Sequence, residues 1–296
     1  MIFRDFYYSL QKHLGQHPKL KQKKFKIKSK IFLLDSTTIT LCLSVFNWAK
    51  YKTTKGAIKL HTLLDYDGDM PIYVNITDGK TADNRGAIDL PLVAGSVIVA
   101  DRFYNDFNLL NVWDSSKVFF VVRHKNNLQY TTVKELDLPQ KEHQNILKDE
   151  IVVLKNEKYT RKLRRVAIWN EDKKCVIELI TNNFKWSAET IGELYKSRWQ
   201  IEIFFREIKQ LLQIKSFIGT SFNAVMIQVW SALITILVLK YLRAISKYSW
   251  HLSNLVAFIR INIFVKIDLQ TWLDNPFLKQ NEASKLQQQG IIFQNY

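Results

Sequence analysis

KIFLLDSTTITLCL, residues 30–43, is an apolar, β-branched run with the texture of a strand buried on both faces, and one carboxylate, Asp35, sits in the middle of it. A buried carboxylate is costly unless it finds a partner, a proton or a cation. Two readings stand side by side: Asp35 caps a local turn through the following Ser36-Thr37-Thr38, or it is a ligand.

Working outward, GAIKLHTLLDYDGDMPIYVNITDG (56–79) predicts two strands joined at Asp67-Gly68. Asp65, Asp67 and Asp69 imitate a calcium loop, but the glycine is misplaced and Ile76 stands where the closing Glu should be, so turn chemistry explains them better. Residues 84–94 predict a helix. SVIVADRFY (96–104) predicts a short apolar strand ending at Asp101, followed by a helix capped by Asp106. KVFFVVRHK (117–125) is another buried strand. Strands alternating with helices predict a mixed α/β layer fold.

From about 125 to 175 the texture changes to short strands, EIVVLKN and RRVAIWN, between charged, turn-prone segments, which predicts a β-rich insertion or a small second domain. CVIELITNN (175–183) leads to Ser187, an N-cap with Glu189 in the first turn, and so into YKSRWQIEIFFREIKQLL, residues 195–212. On one helical wheel Tyr195, Arg198, Glu202, Arg206 and Lys209 share an edge beside the apolar stripe of Ile201, Phe204, Phe205, Ile208 and Leu211. The i,i+4 spacings Arg198–Glu202 and Glu202–Arg206 would account for the glutamate as simple ion pairs, each worth about 0.3–0.5 kcal/mol. Asp101 could likewise be a loop cap or a partner of Arg102. Taken together, however, Asp35, Asp101 and Glu202 offer the hard oxygen ligands of a two-metal phosphoryl-transfer site, with Asp101 at a strand's carboxyl end.

The chain has 296 residues, 43 Lys+Arg against 27 Asp+Glu and a formal net charge of +16, which points to a polyanionic partner. Nine of these cations fall in residues 1–30, against the single acid Asp5, and KLKQKKFKIKSK (19–30) suits either a phosphate-contacting arm or a solubilising tail. Phe25 and Ile27 within it favour a strand that docks. A 47% hydrophobic and 13% aromatic composition excludes a disordered chain. Cys42 and Cys175 match no metal spacing and suit a reducing cytosol. Val225–Leu239 contains Gln228 and falls short of the roughly 20 residues of a membrane span, so it reads as a core helix with no membrane partner. Helices are also predicted over 222–246 and about 251–266, with a polar tail beyond Pro276.

The spacing Tyr195-x2-Arg198-x3-Glu202-x6-Lys209 resembles the YREK signature of IS-four-type insertion-sequence transposases of the DDE superfamily. LLDSTTI and VADRFY resemble that family's two aspartate motifs, and LSVFNWAKYKTTKGAIKLHTLLD, TDGKTADN, LITNNF and GTSFNAVMIQVW its intervening blocks, over about residues 20–265. The resemblance implies an RNase H-like core with the β-rich insertion between the second Asp and the Glu. It implies Mg²⁺ or Mn²⁺, two ions, held by Asp35, Asp101 and Glu202. It implies contacts from Tyr195, Arg198, Arg206 and Lys209 to DNA, nicking and joining of transposon ends, a homodimer in the synaptic complex, and a bacterial, nucleoid-associated, cytoplasmic location. Trp169 and Trp186 are candidates for the base-stacking tryptophan of hairpin-forming relatives.

The expected division is a basic segment 1–30, core 31–124, insertion 125–175, core 176–266 and tail 267–296. Asp35 stands near the start, where family members carry a longer end-recognition region, so a shortened copy is expected. A different RNase H-fold nuclease, or a catalytically silent DNA-binding derivative, are the competing readings.

Overall fold

A computed structural model describes residues 2–41, 46, 48–52, 55–87, 89–124, 128–138, 145–212 and 217–277. The strand around Asp35 is β1 (Ile31–Leu41). Its successors are β2 (Lys50–Lys52), β3 (Lys55–Asp65), β4 (Met70–Asp78), β5 (Val97–Ala100), β6 (Phe119–Arg123), β7 (Tyr130–Glu135), β8 (Ile146–Leu154), β9 (Lys162–Asn170) and β10 (Cys175–Thr181). The helices are α1 (Ile2–Leu14), α2 (Phe107–Ser115), α3 (Ala188–Ser197), α4 (Trp199–Leu212), α5 (Phe222–Ile245), α6 (Leu252–Asn262) and α7 (Leu269–Asp274).

All ten strands join one mixed sheet in the order β2-β3-β1-β5-β6-β10-β9-β8-β7, with β4 also paired to β3. The expected mixed α/β class is the one observed. β1 runs antiparallel to β3 but parallel to β5, and β5 parallel to β6. The β3–β4 hairpin turns where Asp67-Gly68 predicts, and its acids are answered by cations: Lys23 Nζ lies 2.7 Å from Asp67 Oδ2 and Lys240 Nζ 2.8 Å from Asp69 Oδ2. The β-rich region is an antiparallel extension of the same sheet, since β9 pairs with both β10 and β8. Buried ion pairs stitch it, among them Arg164 to Asp149 at 2.6 Å and Arg165 to Glu150 at 2.6 Å.

Strand periodicity sorts β1 between two cores. Ile31, Leu33 and Ile39 join α4 and α5, whereas Phe32 and Leu34 join the core under α2. Asp35 has the odd-numbered register, so it faces the α4 side. On α4, Ile201, Phe204, Phe205 and Ile208 are all buried, each such side chain worth about 1.5–3 kcal/mol. α5 is long and apolar enough to span a membrane by length and composition, but it is packed among α1, α4 and α6, with Val229, Leu233 and Ile236 fully buried.

Several local expectations change. The helix predicted at 84–94 is reduced, among the described residues, to one 3-10 turn at Arg85–Ala87. There Gly86 lies so close to His61 that a Cβ would meet the ring at 2.3 Å, and Pro91 breaks the backbone pattern that follows. Phe25 and Ile27 pack on the core without forming a strand. The helix over 195–212 is divided at Arg198, the C-cap of α3, where Ser197 Oγ donates to Leu194 O at 2.6 Å. Residues 2–14, read by charge alone, form α1; Tyr7 is fully buried, donates to Pro71 O at 2.6 Å and packs against Trp230. α6 stops at Asn262, and α7 lies inside the expected tail with Leu273 buried. The tail from 278 onward, like Cys42, lies outside the described residues.

Candidate active site

Register brings the first two acids together. Leu34 pairs with Ala100 across the parallel β1–β5 ladder, so the next residues, Asp35 within β1 and Asp101 just past the end of β5, follow on adjacent strands whose spacing is about 4.8 Å. The third acid arrives from the other direction. Core packing lays α4 across β1, and Glu202, in the first turn of α4, stands on its exposed flank beside the stripe.

Arg198 joins two of them. Its Nη1 donates to Asp35 Oδ2 at 3.1 Å and its Nη2 to Glu202 Oε1. The residue is only 8% exposed, and the Tyr195 ring backs its guanidinium at 5.6 Å. Burial raises the Asp35 carboxyl to about 6, the neighbouring charge of Arg198 opposes that rise, and the negative charges of Asp101 and Glu202 add to it. The three acids therefore share one electrostatic neighbourhood. Burial also raises the Tyr195 hydroxyl and lowers the Lys209 ammonium.

Both local readings of the aspartates have substance as well. Ser36 N donates to Asp35 Oδ1 at 2.8 Å, and the Asp101 side chain caps its own 3-10 turn by accepting from Arg102 N. The i,i+4 pair Arg198–Glu202 is formed too.

An open groove of about 480 Å³ is lined by Asp35, Glu202, Arg206 and Lys209, together with Ser36, Thr37, Phe205 and Gln210. Asp101 and Tyr195 do not line it. Trp169 and Trp186 are both half-buried, Trp186 packed on Phe119 with ring centroids 5.5 Å apart; Trp199, which follows Arg198, and Phe103, two residues beyond Asp101, are exposed.

The donor set, three carboxylates, is oxygen-only and of the kind a hard divalent cation takes. Yet among the described residues no three His, Cys, Asp or Glu side chains stand close enough to hold an ion as they are placed. Arg198 occupies an oxygen on each of Asp35 and Glu202, and the Asp101 side chain accepts from the backbone N–H of Arg102.

A supporting cluster lies on the opposite side of β1. Ser36 Oγ donates to Asp83 Oδ1 at 2.5 Å, Lys59 Nζ lies 3.1 Å from the same oxygen, and Lys59 also donates to Thr81 O at 2.8 Å. Tyr104, 1% exposed, carries its hydroxyl beneath this cluster, where burial raises its pKa and the charges of Asp35 and Asp83 add to the rise. Sequence reading singled out none of Ser36, Lys59, Asp83 and Tyr104 for the site. Alternation along β1 and the block TDGKTADN are the signals that could have suggested them.

Residues 26–238 match the family model described as "Transposase DDE domain". A putative transposase of Sinorhizobium fredii is 33% identical over 70% of the chain and 59% of its own length. A probable transposase for insertion sequence element IS5377 of Geobacillus stearothermophilus is 31% identical over 77% of the chain and 61% of its own length. A putative transposase for insertion sequence element IS4SA of Synechocystis is 24% identical over 92% of the chain. The chain thus spans about 60% of the length of the first two of these relatives.

Proposed function

The chain belongs to the transposase DDE domain family, in its IS4 branch, and on that premise we propose that it catalyses metal-dependent cleavage and strand transfer of insertion-sequence DNA. The observation that supports this most is the gathering of Asp35 and Glu202, 167 positions apart by subtraction of their residue numbers, into one groove that also carries Arg206 and Lys209.

In this reading Asp35, Asp101 and Glu202 would hold two Mg²⁺ or Mn²⁺ ions. When bound, such ions activate a water or a 3′-hydroxyl and stabilise the leaving oxygen of a phosphodiester. The chain's own residues supply the rest. Arg206 and Lys209 place cations along the groove for phosphate oxygens, and Arg198 adds a planar fork suited to bidentate phosphate binding. Tyr195 holds the Arg198 plane from behind. The parallel pairing of β1 with β5 supports the two aspartates acting side by side, and the packing of α4 on β1 supports Glu202 as the third acid. The partners are transposon-end and target DNA, with a homodimer in the synaptic complex and a cytoplasmic, nucleoid-associated setting.

The proposed layout comprises a basic segment 1–30, core parts 31–124 and 176–266 around an insertion 125–175, and a tail 267–296.

The discriminating experiment incubates the chain with a pre-cleaved transposon-end oligonucleotide, target plasmid and Mg²⁺. Joined product supports the proposal. Nicking without joining indicates another RNase H-fold nuclease, and DNA retention with neither indicates a silent DNA-binding derivative.

A further inference from the structure

Resting on the metal-site reading above, we propose that Arg198 is an electrostatic latch. In the absence of DNA its guanidinium holds the Asp35 and Glu202 carboxylates; a DNA phosphate draws it away and frees those oxygens for a divalent cation, so DNA and metal bind cooperatively.

The geometry carries this. Arg198 reaches one oxygen of each carboxylate, Asp35 Oδ2 at 3.1 Å and Glu202 Oε1. A guanidinium does not lose its proton in a protein, so it cannot leave the site by titrating; it must move or stay. A dication seeking the same two oxygens meets a fixed like charge at contact distance, and the two cations exclude each other there. The latch is also imperfectly satisfied. Arg198 Nε is buried without a hydrogen-bond partner, and the Tyr195 ring lies 5.6 Å from the guanidinium. A phosphate presents several acceptor oxygens to one fork and satisfies more of its donors. Arg198 itself does not line the groove, but Arg206 and Lys209 line it beside Glu202, one of the two carboxylates that Arg198 holds, so a phosphate bound there would lie next to the latch.

Once Arg198 turns to the phosphate, Asp35 and Glu202 are left as uncompensated acids in a half-buried site beside Asp101. That arrangement strongly favours a dication. Coupling of this kind is reciprocal: bound metal releases Arg198 and strengthens its hold on DNA by the same factor. A site that gains its metal only with DNA is also protected from idle hydrolysis.

The test measures Mn²⁺ binding to the full chain by the electron paramagnetic resonance signal of the free ion, with and without a short DNA duplex. Glu202→Gln with the same duplex gives the background of Mn²⁺ on the DNA itself. Wild type is expected to bind Mn²⁺ at least about tenfold more tightly with duplex than without. Arg198→Gln is expected to bind Mn²⁺ tightly without DNA and to lose the dependence on duplex. Equal Mn²⁺ affinity in wild type with and without duplex overturns the latch while leaving the metal site standing, and this arm depends on no variant folding. Absence of Mn²⁺ binding above the Glu202→Gln background in every form overturns the metal site, and the latch with it.

Discussion

Arg198 Nη1 lies 3.1 Å from Asp35 Oδ2 and ties the end of α3 to the middle of a strand 163 positions earlier in the chain. Together with the bond to Glu202 it fixes how α4 sits over β1. Lysine keeps the charge but cannot span both carboxylates from one planar group. Arg198→Lys is therefore expected to cost about 1–3 kcal/mol of stability, read as a lower urea midpoint with an unchanged slope.

Asp35 makes stability depend on pH in an unusual direction. Its carboxyl, at 3.8 in an unperturbed setting, is pushed up to about 6 by burial. Folding thus takes up a proton between these values, so the group's contribution is fully present below about pH 4 and is lost as pH rises through about 6. Thermal melts of wild type and Asp35→Asn should run close together at pH 4. The wild-type protein should fall progressively below the variant as pH is raised to 7.5. A constant gap across that range would contradict the assignment.

Lys240 is a buried cation on α5 that holds two elements at once. Its Nζ lies 2.8 Å from Asp69 Oδ2 in the β3–β4 turn and 3.5 Å from Glu207 Oε2 on α4, under the face of Phe204. Lys240→Met keeps the stem but takes the cation from Glu207 and leaves Asp69 with Arg243 at 3.2 Å. A loss of about 3–5 kcal/mol is expected in urea unfolding, and Lys240→Met/Asp69→Asn/Glu207→Gln should recover much of it.

Arg206 is exposed and Lys209 half-buried on the groove wall. If each meets one phosphate, Arg206→Gln and Lys209→Gln should each reduce the slope of log K against log salt by about 0.9 in a DNA-binding titration. Weakening should be uniform across DNA sequences. An unchanged slope for both would place the DNA elsewhere.

Much of the site could be read from the chain because its parts are local. A carboxylate inside an apolar strand, another at a strand's end and a third on the charged edge of an amphipathic helix are each visible within a dozen residues. The ladder that sets Asp35 beside Asp101, and the bond from Arg198 to Asp35, are long-range facts; in the sequence Arg198 offers only its i,i+4 partner Glu202. Asp83 and Lys59 were hidden for the same reason, since Asp83, the common partner of Ser36 and Lys59, stands 47 and 24 positions from them. α1 was missed because lysine and arginine counts drew the eye from the face carrying Tyr7, Tyr8, Leu10 and Leu14. The expected helix at 84–94 failed where a close approach of backbone to His61 outweighed helical propensity.

Crystals of the chain with a transposon-end duplex and Mn²⁺ offer the most direct measurement, through the anomalous scattering of the ion. The expected map places Mn²⁺ about 2.0–2.2 Å from carboxylate oxygens of Asp35, Asp101 and Glu202, with Arg198 turned to a phosphate. Manganese bound away from these residues, or any one of the three carboxylates held more than about 10 Å from the other two in the DNA complex, would contradict a two-metal transposase site built on them.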